Sequence, residues 1–222
     1  MKKTFGLNRF FKHKSISSQI EPANLIMHLD VANPSSYSGS GSTISNLVGN
    51  NSATLGGNYS FSNEGIRLFN SLTYGFNSFI NLPLISNVRT ISLWFRYDGT
   101  GFGGLTNWFT PGTAGYLIDT RPGFDEGYVY PAGVGSDWTT IYVNGGPPIT
   151  KTWANINPPA GVWRNVTLIA SYSFTGYITL FNGYPKNVGH GATFAVALVY
   201  SGVLTQEQNT ANFNALKSRF GL

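Results

Sequence analysis

Short runs rich in β-branched and aromatic residues recur along the chain, each closed by a turn signal, and that rhythm predicts an all-β fold. The runs are 25–30 (LIMHLD), 66–69, 90–97 (TISLWFRY), 114–118, 127–130, 139–143, 162–170 (VWRNVTLIA), 176–181 (GYITLF) and 192–200 (ATFAVALVY). Between them stand punctuators such as Asn33-Pro34, Ser38 to Ser42, Gly56-Gly57, Asn144 to Pro148 and Asn157 to Pro159. In 90–97, Ile91, Leu93, Phe95 and Tyr97 alternate with Thr90, Ser92 and Arg96, the pattern of a half-buried antiparallel strand. Many short strands joined by polar loops predict an antiparallel β-sandwich of the jelly-roll kind.

One helix is expected, at the C-terminus. Thr205 and Gln208 have capping-box spacing, and Phe213, Leu216 and Phe220 fall on one stripe. Lys217 and Arg219 suit the negative end of the helix dipole, and Gly221 suits a cap. The stripe reads as a docking face on the sandwich.

Charged residues are only 10% of the 222, so coiled coils and charge-laced bundles are excluded. With no cysteine there is no disulfide, thiolate metal site or cysteine nucleophile. The net charge of +5 is not spread over the chain. Lys2, Lys3, Arg9, Lys12 and Lys14 fall in the first fourteen residues, which contain no acid, and Phe5, Phe10 and Phe11 interleave with them. The rest of the chain is balanced. Residues 1–22 therefore read as a basic, aromatic attachment arm, and 23–222 as one body. A neutral body offers no basic face for duplex nucleic acid, so nucleic-acid binding is expected only through the arm. No apolar stretch has the length of a secretion signal or of a membrane-spanning helix.

Three stretches carry a family resemblance: LIMHLDVANPSSYSGSGSTISNLVGNNSATL (25–55); TISLWFRYDG (90–99) paired with GVWRNVTLIASYSFTGYITLFNGYP (161–185); and FAVALVYSGVLTQEQNTANFNALKSRFG (194–221). Together they resemble the laminin-G-like, concanavalin A-like lectin-glucanase domains of phage and large-virus structural proteins. The resemblance implies a concanavalin A-like sandwich spanning nearly all of 25–222. It also implies a virion setting: a non-catalytic capsid, decoration, fibre or vertex component, assembled in the host cytoplasm without an export signal and held to other virion proteins by the arm. A glycan-binding adhesin for host-surface sugars is the alternative, and a polysaccharide hydrolase a third reading.

Where the family often has an acidic pair before the last strand's aromatic, this chain has Ala195, Val196 and Ala197. Calcium-binding members need clustered oxygen ligands, and only Asp119, Asp125, Glu126 and Asp137 lie in the relevant region. Asp125 and Glu126 are adjacent, so on a strand they would face opposite ways, which does not suit a glycosidase pair. His13, His28 and His190 have no zinc spacing. No enzyme activity, metal or cofactor is therefore expected. For carbohydrate, the candidates are Trp108, Trp138 and Trp153, which lie near polar loops with Asn107 and Asp137 beside them. Sugar rings stack on exposed aromatic faces while a few polar groups fix their hydroxyls.

Overall fold

In a computed structural model of the chain, the residues described are 19–69, 78–101, 104–110, 113–119, 138–149, 156, 159–181 and 190–222, with the side chains of 99–101, 104–110, 113–119 and 190 excepted. Residues 1–18, with every cation and aromatic of the arm, lie outside them, as do the expected strand at 127–130, Asp125, Glu126, Asp137 and Trp153.

Thirteen strands are present among the described residues: β1 (Leu25–Asp30), β2 (Thr43–Ser45), β3 (Ser52–Gly56), β4 (Tyr59–Ser62), β5 (Gly65–Leu68), β6 (Phe79–Asn81), β7 (Ile85–Gly101), β8 (Gly104–Thr110), β9 (Thr113–Asp119), β10 (Trp138–Val143), β11 (Pro148–Ile149), β12 (Trp163–Leu180) and β13 (His190–Tyr200). One helix, α1 (Gln206–Leu216), follows, and a 3-10 turn (Lys217–Phe220) extends it. Every strand pairing among the described residues is antiparallel, and the main path runs β2-β3-β6-β12-β7-β13-β5-β4, with β1 on β13 and β10 and β8 on β12.

β12 makes this one curled sheet. Its first half pairs Trp163 through Ile169 with Arg96 through Thr90 of β7, and its last residues pair with β6 and β8. The register with β7 slips between Ile169 and Phe174 and again before Gly176. Such irregularities bend and twist a strand, and here they carry β12 from one part of the sheet to the other.

One face holds the larger core, including Met27, Leu29, Ile66, Leu93, Phe95, Leu168, Ile178, Phe181, Phe194 and Val199. The other face is buried as well, which corrects the half-buried reading of 90–97: Thr90, Ser92 and Trp94 are each 1% exposed or less. The cause is the C-terminal helix. Trp94, Val196, Leu198, Tyr200 and Phe220 form a second cluster, against which Phe213 and Leu216 pack. The polar residues on that face bond one another in place of water. Asn165 Nδ2 and Thr167 Oγ1 both donate to Ser92 Oγ, at 2.9 and 2.8 Å, and Thr90 Oγ1 donates to the Gly202 carbonyl at 2.8 Å.

The capping box forms as its spacing predicts. The Gln208 amide donates to Thr205 Oγ1 at 3.3 Å, and the Thr205 amide donates to the Gln208 side chain at 2.9 Å. Ile20 packs on the second cluster, and the Glu21 amide donates to Asn212 Oδ1 at 2.7 Å. No helix among the described residues is long and apolar enough to cross a membrane.

Candidate functional site

Register across the helix-bearing face sets Ser60, Arg67, Thr193, Arg96 and Trp163 in one row over β4, β5, β13, β7 and β12. Directly paired residues share a face, so their side chains rise on one side of the sheet. The helix covers the neighbouring row at Trp94 and Val196 but stops short of this one. An open cleft of about 340 Å³ remains, lined by Asn63, Glu64, Arg96, Trp163, Arg219 and Phe220.

Three segments build it. The first is the tight β4–β5 turn carrying Asn63 and Glu64. Gly65 holds that turn against β13: its φ is +153°, and a Cβ there would lie 2.3 Å from the Phe194 carbonyl oxygen. Only glycine permits both the conformation and the approach. The second is the strand pair bearing Arg96 and Trp163, with the guanidinium 5.3 Å from the indole centroid. The third is the 3-10 turn. Phe220 lies 4.7 Å from Trp163, ring centre to ring centre, and Arg219 Nη1 donates to both oxygens of Asp30 at 2.8 Å.

Arg96 Nη2 donates to Glu64 Oε2 at 2.6 Å, and this bond holds the Glu64 carboxyl below the usual carboxylate range. Beside Asp30, His28 is pushed down mainly by burial, partly opposed by the Asp30 charge and reinforced by Arg219, and its buried Nε2 has no hydrogen-bond partner among the described residues. Burial and Arg219 thus favour its neutral imidazole form. No group of three or more His, Asp or Glu suited to a metal occurs among the described residues.

The carbohydrate candidates read from the sequence do not meet in this cleft. Trp138 is 2% exposed and packs edge-on against Phe174 at 5.8 Å, so it is a core residue with no face to offer a ligand. Asn107 and Trp108 lie within β8, paired to both β12 and β9, and not in a loop; register sets them opposite Thr179 and Ile178. Asp137 and Trp153 fall outside the described residues. Arg219 lies in the last turn of the 3-10 extension, as the dipole reading expects, and also pairs with Asp30. The cleft residues were missed because they come from the β4–β5 turn, two separate strands and the 3-10 turn, with no shared motif. The one local signal was Arg96, a cation that ends the uncharged row Thr90, Ser92 and Trp94.

Neither a family model nor a curated protein matches this chain. Solved structures do. A Trypanosoma rangeli sialidase in complex with a 2,3-difluoro-KDN compound matches at 15% identity over 89% of this chain and 33% of its own, with a TM-score of 0.55. The same organism's sialidase in complex with sialic acid matches at 15% identity over 89% and 34%, with a TM-score of 0.52. Domain 4 of AbnA, a GH43 extracellular arabinanase from Geobacillus stearothermophilus in complex with arabinotriose, matches at 16% identity over 86% and 98%, with a TM-score of 0.47. This chain spans about a third of the length of the sialidase structures.

At these identities the likeness is one of fold, and it corrects two expectations. The reading as a non-catalytic structural protein of a virus particle is overturned, because the fold is that of a segment of a carbohydrate-active protein, a sialidase. The reading as no enzyme falls with it, since the matching folds belong to enzymes. The resemblance that suggested a virus rested on strand and turn phrases, which follow the fold and not its host.

Proposed function

We propose that this chain is a carbohydrate-recognising domain and that the cleft between the β4–β5 turn and the C-terminal 3-10 turn is where it holds sugar. The observation that carries this reading is the fold likeness over 89% of the chain to part of a sialidase. The cleft's chemistry supports it. Trp163, half-buried and backed by the buried Phe220, supplies apolar ring surface, and Asn63, Glu64, Arg96 and Arg219 supply donors and acceptors around it. The laminin-G-like jelly roll belongs to the same proposal: the curl of β12 and the burial of both faces of β7 suit two packed layers with a helix laid across one of them.

The test is a printed glycan array probed with the whole chain, followed by titration of the strongest binder. The reading expects saturable binding that Asn63→Ala and Trp163→Ala each weaken by about tenfold or more, roughly 1.4 kcal/mol. A blank array with a folded protein would overturn it.

A further inference from the structure

Resting on that reading, we infer that the cleft takes an uncharged saccharide and discriminates against acidic ones. The two arginines that line it look at first like a site for a carboxylate or sulfate, but each already has its own carboxylate. Arg96 is held by Glu64 at 2.6 Å, and Arg219 by both oxygens of Asp30 at 2.8 Å. In the same row Arg67 lies 3.6 Å from Asp98. The three pairs cancel, so the cleft presents no net charge.

An acidic ligand would have to displace one of these partners. The Asp30 side chain is only 15% exposed, and separating it from Arg219 would leave a largely desolvated charge unpaired. The Glu64 side chain is 58% exposed and could swing away, but it would remain near the cleft and repel an anion.

A neutral sugar meets no such obstacle. A guanidinium carries five N–H donors, and one nitrogen of Arg96 and one of Arg219 is committed to a carboxylate. The rest can donate. Glu64 Oε1 accepts nothing from the described residues, and Asn63 lines the same rim. A hydroxyl group both donates and accepts, so it needs this mixture, whereas an anionic group needs donors alone. The half-buried ring of Trp163, backed by the buried Phe220, suits the C–H face of a pyranose ring and not a charged substituent.

The test is an array of neutral oligosaccharides, each printed beside its sialylated, sulfated or uronate counterpart, read at low and high sodium chloride. The inference expects neutral members to bind and their acidic counterparts to bind no tighter. Salt should shift neutral binding by less than about twofold, since no net ionic contact is there to screen. Glu64→Gln, a change at an exposed turn, leaves the cleft net positive and should raise binding of the acidic counterparts. Acidic members binding more tightly to the unaltered chain, with a steep loss in salt, would overturn this inference and leave carbohydrate recognition standing. So would a Glu64→Gln protein whose preference does not move. A blank array would remove carbohydrate recognition itself.

Discussion

The indole of Trp94 and the ring of Phe220 stack with centroids 4.5 Å apart and planes 20° apart, and Phe213 stacks on the same indole at 5.5 Å. One residue in the middle of β7 is thus clasped by the end of the chain. That clasp seals the second face of the sheet and places Arg219 and Phe220 at the rim of the cleft. Fold stability and site geometry meet at this contact.

Trp94→Ala should destabilise the protein by about 3–5 kcal/mol, and Phe220→Ala by about 3 kcal/mol, as for large aromatic side chains removed from a packed core. Trp94→Phe should cost less, about 1.5 kcal/mol, because Trp94 Nε1 is buried without a hydrogen-bond partner among the described residues and its loss leaves no acceptor stranded. Urea unfolding midpoints at constant m-value would measure all three. A Trp94→Phe protein as unstable as Trp94→Ala would contradict the stacking account.

The long strands and the helix were legible from sequence because their patterns are strong. β1, β7, β12 and β13 carry continuous apolar or alternating runs, and Thr205 with Gln208 announces α1. The short strands were not legible. TIS in β2, YSFS in β4 and FIN in β6 have no periodicity of their own and become strands only by pairing with a neighbour. β8 was not among the runs read as strands, and Trp108 within it was placed near polar loops, yet the strand is paired on both sides. Burial of Ser92 and Thr167 was hidden for a different reason: small hydroxyl residues look solvent-facing until a distant helix covers them. The cleft was hidden most of all, since Glu64, Arg96 and Arg219 meet only in three dimensions.

Gly65→Ala should destabilise by more than about 1 kcal/mol and loosen the turn that carries Asn63 and Glu64, because its Cβ would collide with the Phe194 carbonyl as well as demand a positive φ. Gly41→Ala is the control. Its φ is +80°, but nothing lies within 4 Å of the added carbon, so it should cost less than Gly65→Ala. Equal melting temperatures for the two variants would show that the close approach at Gly65 is relaxed without cost.

Burial pushes the Tyr200 phenol well above its ordinary value, against the smaller opposing effect of the Asn212 amide that donates to Tyr200 Oη at 3.0 Å. A raised folded pKa means that the folded chain keeps a proton that the unfolded chain has lost. Stability is therefore full below about pH 10, the unfolded tyrosine value, and declines as pH rises above it. Ultraviolet titration should show a delayed tyrosine ionisation that comes only with unfolding, and Tyr200→Phe should reduce its amplitude by one tyrosine. Ionisation of every tyrosine near pH 10 in the folded protein would count against this assignment.

Glu64 has the opposite sign. Its folded pKa is depressed, first by the hydrogen bond and then by the charge of Arg96. The ion pair is therefore complete above the ordinary glutamate value of about 4.3 and is lost as pH falls through the lower folded value. Binding of a neutral oligosaccharide should be flat from about pH 5 to 8 and fall only in stronger acid. Glu64→Gln should abolish that acid-side fall. A binding curve centred near neutral pH would point to a titrating group other than Glu64.

The most direct measurement is amide and indole chemical-shift mapping by NMR, with the strongest neutral oligosaccharide from the array titrated into the labelled chain. The account predicts shifts concentrated at Asn63, Glu64, Arg96, the Trp163 indole N–H, Arg219 and Phe220, with the core Trp138 indole unmoved. Saturable shifts that leave these residues untouched and gather on another surface would contradict the cleft as the site of carbohydrate recognition.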